Sequence, residues 1–336
     1  MDPARLFPWV VLGVTAACAV GLHSLTARRF LASACAAALG IVVAWSTVHT
    51  GGLTGYDVVY GASALMIAFG VSIPFRRGRA VRMGTPVSPG DYGWRRAAEL
   101  FARPQPVTLP MVALFTLIPF YIVIGHAIPG RTVHVPEVFL DRVIPLDPLW
   151  APVYASLFLL VILPVFVVHQ REHVRRTINA YLMVWLVGYA FFLAYPTLTP
   201  RPPRLADEGF FAWMLRAIYS TDVEYNCFPS LHVAQSFLSA LTCYRVHRGV
   251  GIGAGIWATL VSLSTLFTKQ HYVLDVLAGA CLAYAAHAIF LRGFPHEAVP
   301  ELDRRMAPLL AAGAVAVYGV IMAGFAVAYT LTHPAG

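Results

Sequence analysis

Three segments, far apart in the chain, gather the residues best able to do chemistry. Tyr195 to Arg204 holds Arg201 and Arg204 among prolines, Cys227 to His232 holds Ser230 and His232, and Thr268 to Asp275 holds Lys269, His271 and Asp275. Asp275 follows His271 by four residues, a spacing that puts both on one face of a helix. A carboxylate there can accept the proton of the histidine Nδ1, fix its tautomer and leave Nε2 free as nucleophile or base. Two histidines and one carboxylate also resemble a metal triad. The neighbours favour phosphate, because Arg201, Arg204 and Lys269 repel a metal ion but suit a phosphate through bidentate and point-charge contacts. Pro229 and Ser230 read as the first turn of a helix, whose free N–H groups and positive dipole would add to an anion site. Neither a metal nor any other cofactor is expected.

The elements that must position these segments are membrane helices. Hydrophobic residues make up 58% of the 336 residues and charged residues 12%, about half the usual share for a soluble domain. That balance excludes a soluble globular enzyme, a disordered chain and a secreted disulfide scaffold. Five scattered cysteines without a CxxC agree with the last exclusion. Ten stretches are long enough to span a bilayer and free of charge, save Asp275: Leu6–Ala27, Phe30–Tyr56, Val58–Phe75, Pro104–Gly130, Pro148–Gln170, Thr177–Pro200, Tyr225–Tyr244, Gly249–Thr268, Gln270–Leu291 and Met306–Gly336. The expected fold is an all-α polytopic membrane bundle of about ten transmembrane helices. Its expected divisions are three N-terminal helices (1–75), a basic cytoplasmic linker (76–105), a six-helix catalytic core (106–292), and a cytoplasmic loop with a C-terminal helix (293–336).

Charge sets the orientation. The odd-numbered loops carry 17 of the 24 cations and so face the cytoplasm, which puts both termini and the three chemical segments outside. His232 and His271 are 39 residues apart, the length of one helix in and another back, so both return to the same membrane face. An acid inside a span costs roughly 2.5–3.5 kcal/mol on the insertion scale, which marks Asp275 as functional. Lys269 is the only lysine. Such arginine use suggests a GC-rich coding sequence, hence a bacterial plasma membrane. The net charge of +8 follows from the cytoplasmic loops and does not imply a nucleic-acid partner.

These segments resemble the three signature motifs of the type-2 phosphatidic acid phosphatase superfamily. Arg201-Pro202 resembles the end of motif one, Pro229-Ser230-Leu231-His232 motif two, and His271 through Asp275 the end of motif three. Phe228 through His232 is especially similar to the inositol phosphorylceramide synthase branch, related to the sphingomyelin synthases. The similarity runs from about Pro104 to Leu291. The resemblance implies that His271 attacks phosphorus to form a phosphohistidine and that Asp275 orients it. It implies that His232 protonates the leaving alcohol and then deprotonates the acceptor, while Arg201, Arg204, Lys269 and the amides near Ser230 hold the phosphate oxygens. The chain departs from the phosphatase pattern at Ala194, where a lysine is usual, and at Thr265, where an arginine is usual. Those losses favour a transferase over a phosphomonoesterase.

The leading expectation is an integral-membrane lipid phosphotransferase that moves an inositol phosphate-like headgroup from a lipid donor to an alcohol or lipid acceptor. The alternatives are a lipid-phosphate or polyprenyl-pyrophosphate phosphatase and, from another class, a transporter or flippase. Asp222 and Glu224 read as solvated loop acids, with contact to a polyol acceptor as their other reading. The apolar outer loop Val135–Trp150 is expected to shield the intermediate from water.

Overall fold

The computed structural model describes residues 128–333, apart from 203, 204, 206, 207 and 223, together with Gly93, Trp94, Arg96, Ala97, Met111, Leu114, Phe120, Tyr121, Ile124 and Gly125. The first three expected spans, nearly all of the basic linker and most of the fourth span lie outside the described residues. The rest is helical: α1 (Phe139–Val143), a 3-10 turn at Pro148–Trp150, α2 (Ala151–Ala155), α3 (Leu157–Val167), α4 (Arg171–Ala194), α5 (Phe210–Thr221), α6 (Leu231–Val246), α7 (Arg248–Phe267), α8 (Val273–Ala286) and α9 (Glu301–Thr332). There are no strands among the described residues, and two isolated bridges, His134 with Thr197 and Leu198 with Tyr225, tie loops together.

Five stretches are long and apolar enough to cross a membrane: Pro148–Val167, Arg171–Ala194, Arg248–Phe267, Val273–Leu291 and Glu301–Leu331. They correspond to five of the ten expected runs. The run Tyr225–Tyr244 divides instead into a loop through Ser230 and the 16-residue α6. Helix boundaries follow the local chemistry. Gln170 caps α4 by accepting the His173 N–H, Ser230 caps α6 by accepting the Val233 N–H, and His247 closes α6 while capping α7 through the Val250 N–H.

Two helices reach the start of α6 through glycines. A Cβ on Gly279 of α8 would lie 2.4 Å from the Ser230 carbonyl oxygen, and one on Gly188 of α4 would lie 2.5 Å from Leu231 Cδ2. At Gly279 the facing atom is backbone and only glycine fits, while at Gly188 it is the end of the Leu231 side chain; the two approaches set the His232 turn against α4 and α8. Around it Tyr181, Val184, Trp185, Phe192, Leu231, Ala234 and Leu238 form one buried cluster.

Residues 201–224, read from sequence as an open outer connection, contain α5. Its Ala212, Met214 and Leu215 are buried, and Met214 and Leu215 pack with Ala151 near the start of α2. Twelve residues are too short to span a bilayer and are interrupted by Arg216, so the span count passed over them.

Candidate active site

The three chemical segments meet at one end of the bundle. His232 is the second residue of α6, His271 precedes α8, Asp275 lies in the first turn of α8, and Arg201 follows α4. His232 Nδ1 lies 2.9 Å from His271 Nε2, a hydrogen bond between the two rings. His271 Nδ1 lies 3.4 Å from Asp275 Oδ2. That proximity does not come from a shared helical face, because His271 stands two residues before α8 begins. Asp275 sits at the third position of the helix, and Oδ2 accepts the Tyr272 N–H at 2.9 Å. The carboxylate thus closes the helix start and faces the imidazole across it. Both side chains are almost wholly buried.

Ser230 caps α6 one residue later than the sequence suggests, and its own N–H donates to the Asp275 carbonyl at 3.1 Å. This bond ties the His232 turn to the Asp275 turn. Arg201 is held by protein: Nη1 donates to the carbonyls of Tyr219 (2.7 Å) and Asp222 (2.9 Å), Nη2 donates to Gln270 Oε1 (2.8 Å), and the guanidinium lies over the Tyr219 ring at 4.7 Å. Lys269, at a positive φ of 52°, donates to the carbonyls of Asp141 (2.9 Å) and Ile144 (2.5 Å). Burial pulls its amine below the ordinary lysine range, and the carboxylates of Asp141 and Glu137 oppose that shift. Arg204 lies outside the described residues.

A cavity of about 320 Å³ opens beside the histidines, and His271, Lys269, Tyr272, Glu137, Asp141, Arg142, Thr199 and Leu266 are among its lining residues. Arg201, Ser230 and His232 are not. The wall therefore joins the nucleophile candidate to two cations, Lys269 and Arg142, and to two carboxylates, Asp141 and Glu137, the latter paired with Arg142 at 3.1 Å.

Sequence reasoning missed the groups behind His232. Asp222 is not a solvated loop acid: its side chain is 14% exposed, Oδ2 accepts from Tyr154 at 2.8 Å and Oδ1 accepts from Tyr121 at 3.0 Å. Tyr154 spends its proton on Asp222, so its oxygen is left to accept from His232 Nε2 at 3.2 Å, and Asp222 Oδ2 itself is 3.7 Å from that nitrogen. The result is one chain, Asp275, His271, His232, Tyr154, Asp222, with a carboxylate at each end. Tyr154 gave no signal in the sequence, lying in a charge-free run. Asp222 had one, an acid ten residues before His232, whose value depends on α5 folding back.

The loop before α2 also differs from expectation. Ile144 lines the cavity and Leu146 packs toward α5, but Phe139, Leu140, Val143 and Leu149 are exposed. They do not cover the histidines, because Asp141 and Lys269 fasten α1 with its charged side inward. Cys227 is buried near Thr197 and Thr199, and burial pushes its thiol up to about 12, which leaves it inert.

The sequence that builds this site is similar to known proteins. Residues 132–289 match the model of the PAP2 superfamily domain. The domain takes in α1 through α8 and every described residue of the histidine network except Tyr121. The chain is also similar to a PA-phosphatase related-family protein of Dictyostelium discoideum, 26% identical over 129 residues, which is 34% of this chain. The match spans about a quarter of that relative's length (23%). No solved structure matches the chain. Together with the five stretches long and apolar enough to cross a membrane, the match supports a multi-pass membrane protein similar to the PAP2 superfamily.

Proposed function

We propose that the protein is a lipid phosphotransferase that moves a headgroup phosphate, of inositol phosphate type, from a lipid donor to an alcohol or lipid acceptor at the extracytoplasmic face. The observation that carries this reading is the 2.9 Å contact between His232 Nδ1 and His271 Nε2 beside a cavity lined by Lys269 and Arg142. A contact of that length leaves no room for phosphorus between the rings. The single lone pair of His271 Nε2 points along this contact, so the bond between the rings opens when the phosphoryl group enters from the cavity; the Nδ1 proton stays on His232, which with its Nε2–H toward Tyr154 is an imidazolium in the reactive form.

His271 Nε2 attacks phosphorus and forms the P–N bond as the P–O bond to the donor alcohol breaks. His232 Nδ1 gives its proton to that leaving oxygen and then takes one from the acceptor hydroxyl, whose oxygen displaces His271. Asp275 orients His271 and stabilises the charge it gains. Lys269 and Arg142 on the cavity wall hold the equatorial oxygens, joined by Arg201 once it exchanges its protein acceptors for phosphate, while the motif resemblance assigns the same task to Arg204 and the backbone amides near Ser230. The transferase branch, similar to the inositol phosphorylceramide and sphingomyelin synthases, is favoured by Ala194 and Thr265, where the phosphatase pattern has cations. A phosphatase is the second reading, favoured by the similarity to the Dictyostelium PA-phosphatase related-family protein.

The test supplies a phosphodiester lipid and a lipid phosphomonoester, each with and without a polyol or lipid alcohol, and separates the products. An acceptor-dependent headgroup-phosphate product from the diester is the expected result. Rapid release of inorganic phosphate from the monoester, with no acceptor-dependent product, would leave the phosphatase.

A further inference from the structure

Helix α1 presents two chemically different sides. Its inner side is pinned: Asp141 Oδ1 accepts the Val273 N–H and Oδ2 the Val138 N–H, both at 2.9 Å, while Lys269 binds the carbonyls of Asp141 and Ile144. Asp141, Arg142 and Ile144 line the cavity next to His271. Its outer side is apolar and open. Phe139 is 78% exposed, Leu140 55% and Val143 62%, with Leu149 at 58% just before α2. No span accounts for this exposure, since α1 is five residues long.

Exposed apolar side chains also stand at the start of α8, the helix to which Asp141 fastens α1. Val273, bonded to Asp141, begins α8, and the next exposed side chains there are Leu274 and Leu277. Arg142, beside the apolar residues of α1, is 72% exposed and paired with Glu137 at 3.1 Å, a surface pair that an anionic headgroup can compete for. A short amphipathic element with apolar residues outward, fastened at the end of a bundle of spans, is placed to lie in the headgroup–acyl boundary.

We infer that Phe139, Leu140, Val143 and Leu149 form a lip inserted into the leaflet on the site side, over which an amphiphilic substrate passes its phosphate headgroup into the cavity while its apolar chain stays in the bilayer. This inference rests on the proposed activity for its substrate but not for the insertion itself. The occupant is membrane lipid, and a protein partner on the same surface is an outcome of the test.

The full chain is reconstituted in phosphatidylcholine–phosphatidylglycerol vesicles with benzoylphenylalanine at position 139 or 143, and at Leu186, an exposed residue of α4, as reference. Irradiation is expected to give lipid adducts at all three. Adducts at Leu186 alone, or a protein adduct in place of lipid at 139 and 143, would overturn the lip. In the second arm, the triple variant Phe139→Ser, Leu140→Ser, Val143→Ser is compared with the parent on a long-chain donor in vesicles and on a short-chain, water-soluble donor with the same headgroup. The apparent KM for the long-chain donor is expected to rise about tenfold, with the short-chain donor within about twofold. Equal losses on both donors would mean that α1 serves the fold and not lipid entry. If the parent turns over neither donor, the proposed activity fails, and the cross-linking still decides the lip.

Discussion

Asp275 and Asp222 end a single chain of contacts that runs through His271, His232 and Tyr154. Each histidine thus has a carboxylate behind it, one close to its ring and one acting through a phenol. His271→Ala is expected to abolish turnover, since the proposed phosphohistidine forms on its ring and His232 is assigned to proton transfer. Asp275→Asn is expected to retain a trace, with kcat down about 10³–10⁴-fold, as when an orienting carboxylate is neutralised beside an active-site histidine. For Asp222→Asn the expected loss is about tenfold to a hundredfold, less than the 10²–10⁴-fold of removing an acid–base group outright. Its loss should grow as the leaving alcohol becomes less acidic, because His232 matters most there. A series of donors with graded leaving groups checks this, and a loss that is uniform across the series would remove Asp222 from the proton chemistry. His232, His271 and Asp275 were legible in the sequence because a short spacing and a helix-length separation carried them. Tyr154 and Tyr121 were not, since a tyrosine in an apolar run has the same composition whether it meets lipid or a carboxylate.

Among the elements, α6 and α8 carry the geometry. Ser230 bonds to the Asp275 carbonyl only because Gly279 lets α8 lie against the α6 cap. Gly279→Ala would drive a methyl group into the Ser230 carbonyl, a backbone atom that cannot rotate away. The expected cost is about 1–3 kcal/mol, read as a lower thermal midpoint in detergent, together with reduced activity. Gly255→Ala on α7, where nothing stands within 4 Å, is the control and should be neutral or slightly stabilising. An unchanged midpoint for Gly279→Ala would show that the helices can part at no cost. Long spans were legible as charge-free runs. The short α5 was not, since its burial depends on the surfaces of α2 and α9 it meets rather than on its own length.

At the scale of the whole molecule, charge divides the two ends. Arg171, Arg175, Arg176, Arg245, Arg248, Arg292, Arg304 and Arg305 flank the helix ends remote from the histidines. By the positive-inside rule this distribution supports the proposed outward-facing site. A cysteine at Ser220, exposed on α5, is expected to react with an impermeant maleimide in intact cells, while one at Glu297, exposed before α9, should react only after permeabilisation. The reverse pattern would invert the protein and place the reaction in the cytoplasm. The sequence by itself determined the membrane class, the apolar spans, and the return of His232 and His271 to one face, because hydropathy and helix rise are local properties that survive without knowledge of packing. Only the tertiary structure decided which side chains complete the site. Asp222 reaches Tyr154 and Tyr121 across 68 and 101 residues, and Lys269 reaches Asp141 across 128. Contacts over such separations are chosen by how helices pack, and no spacing within a single segment encodes them.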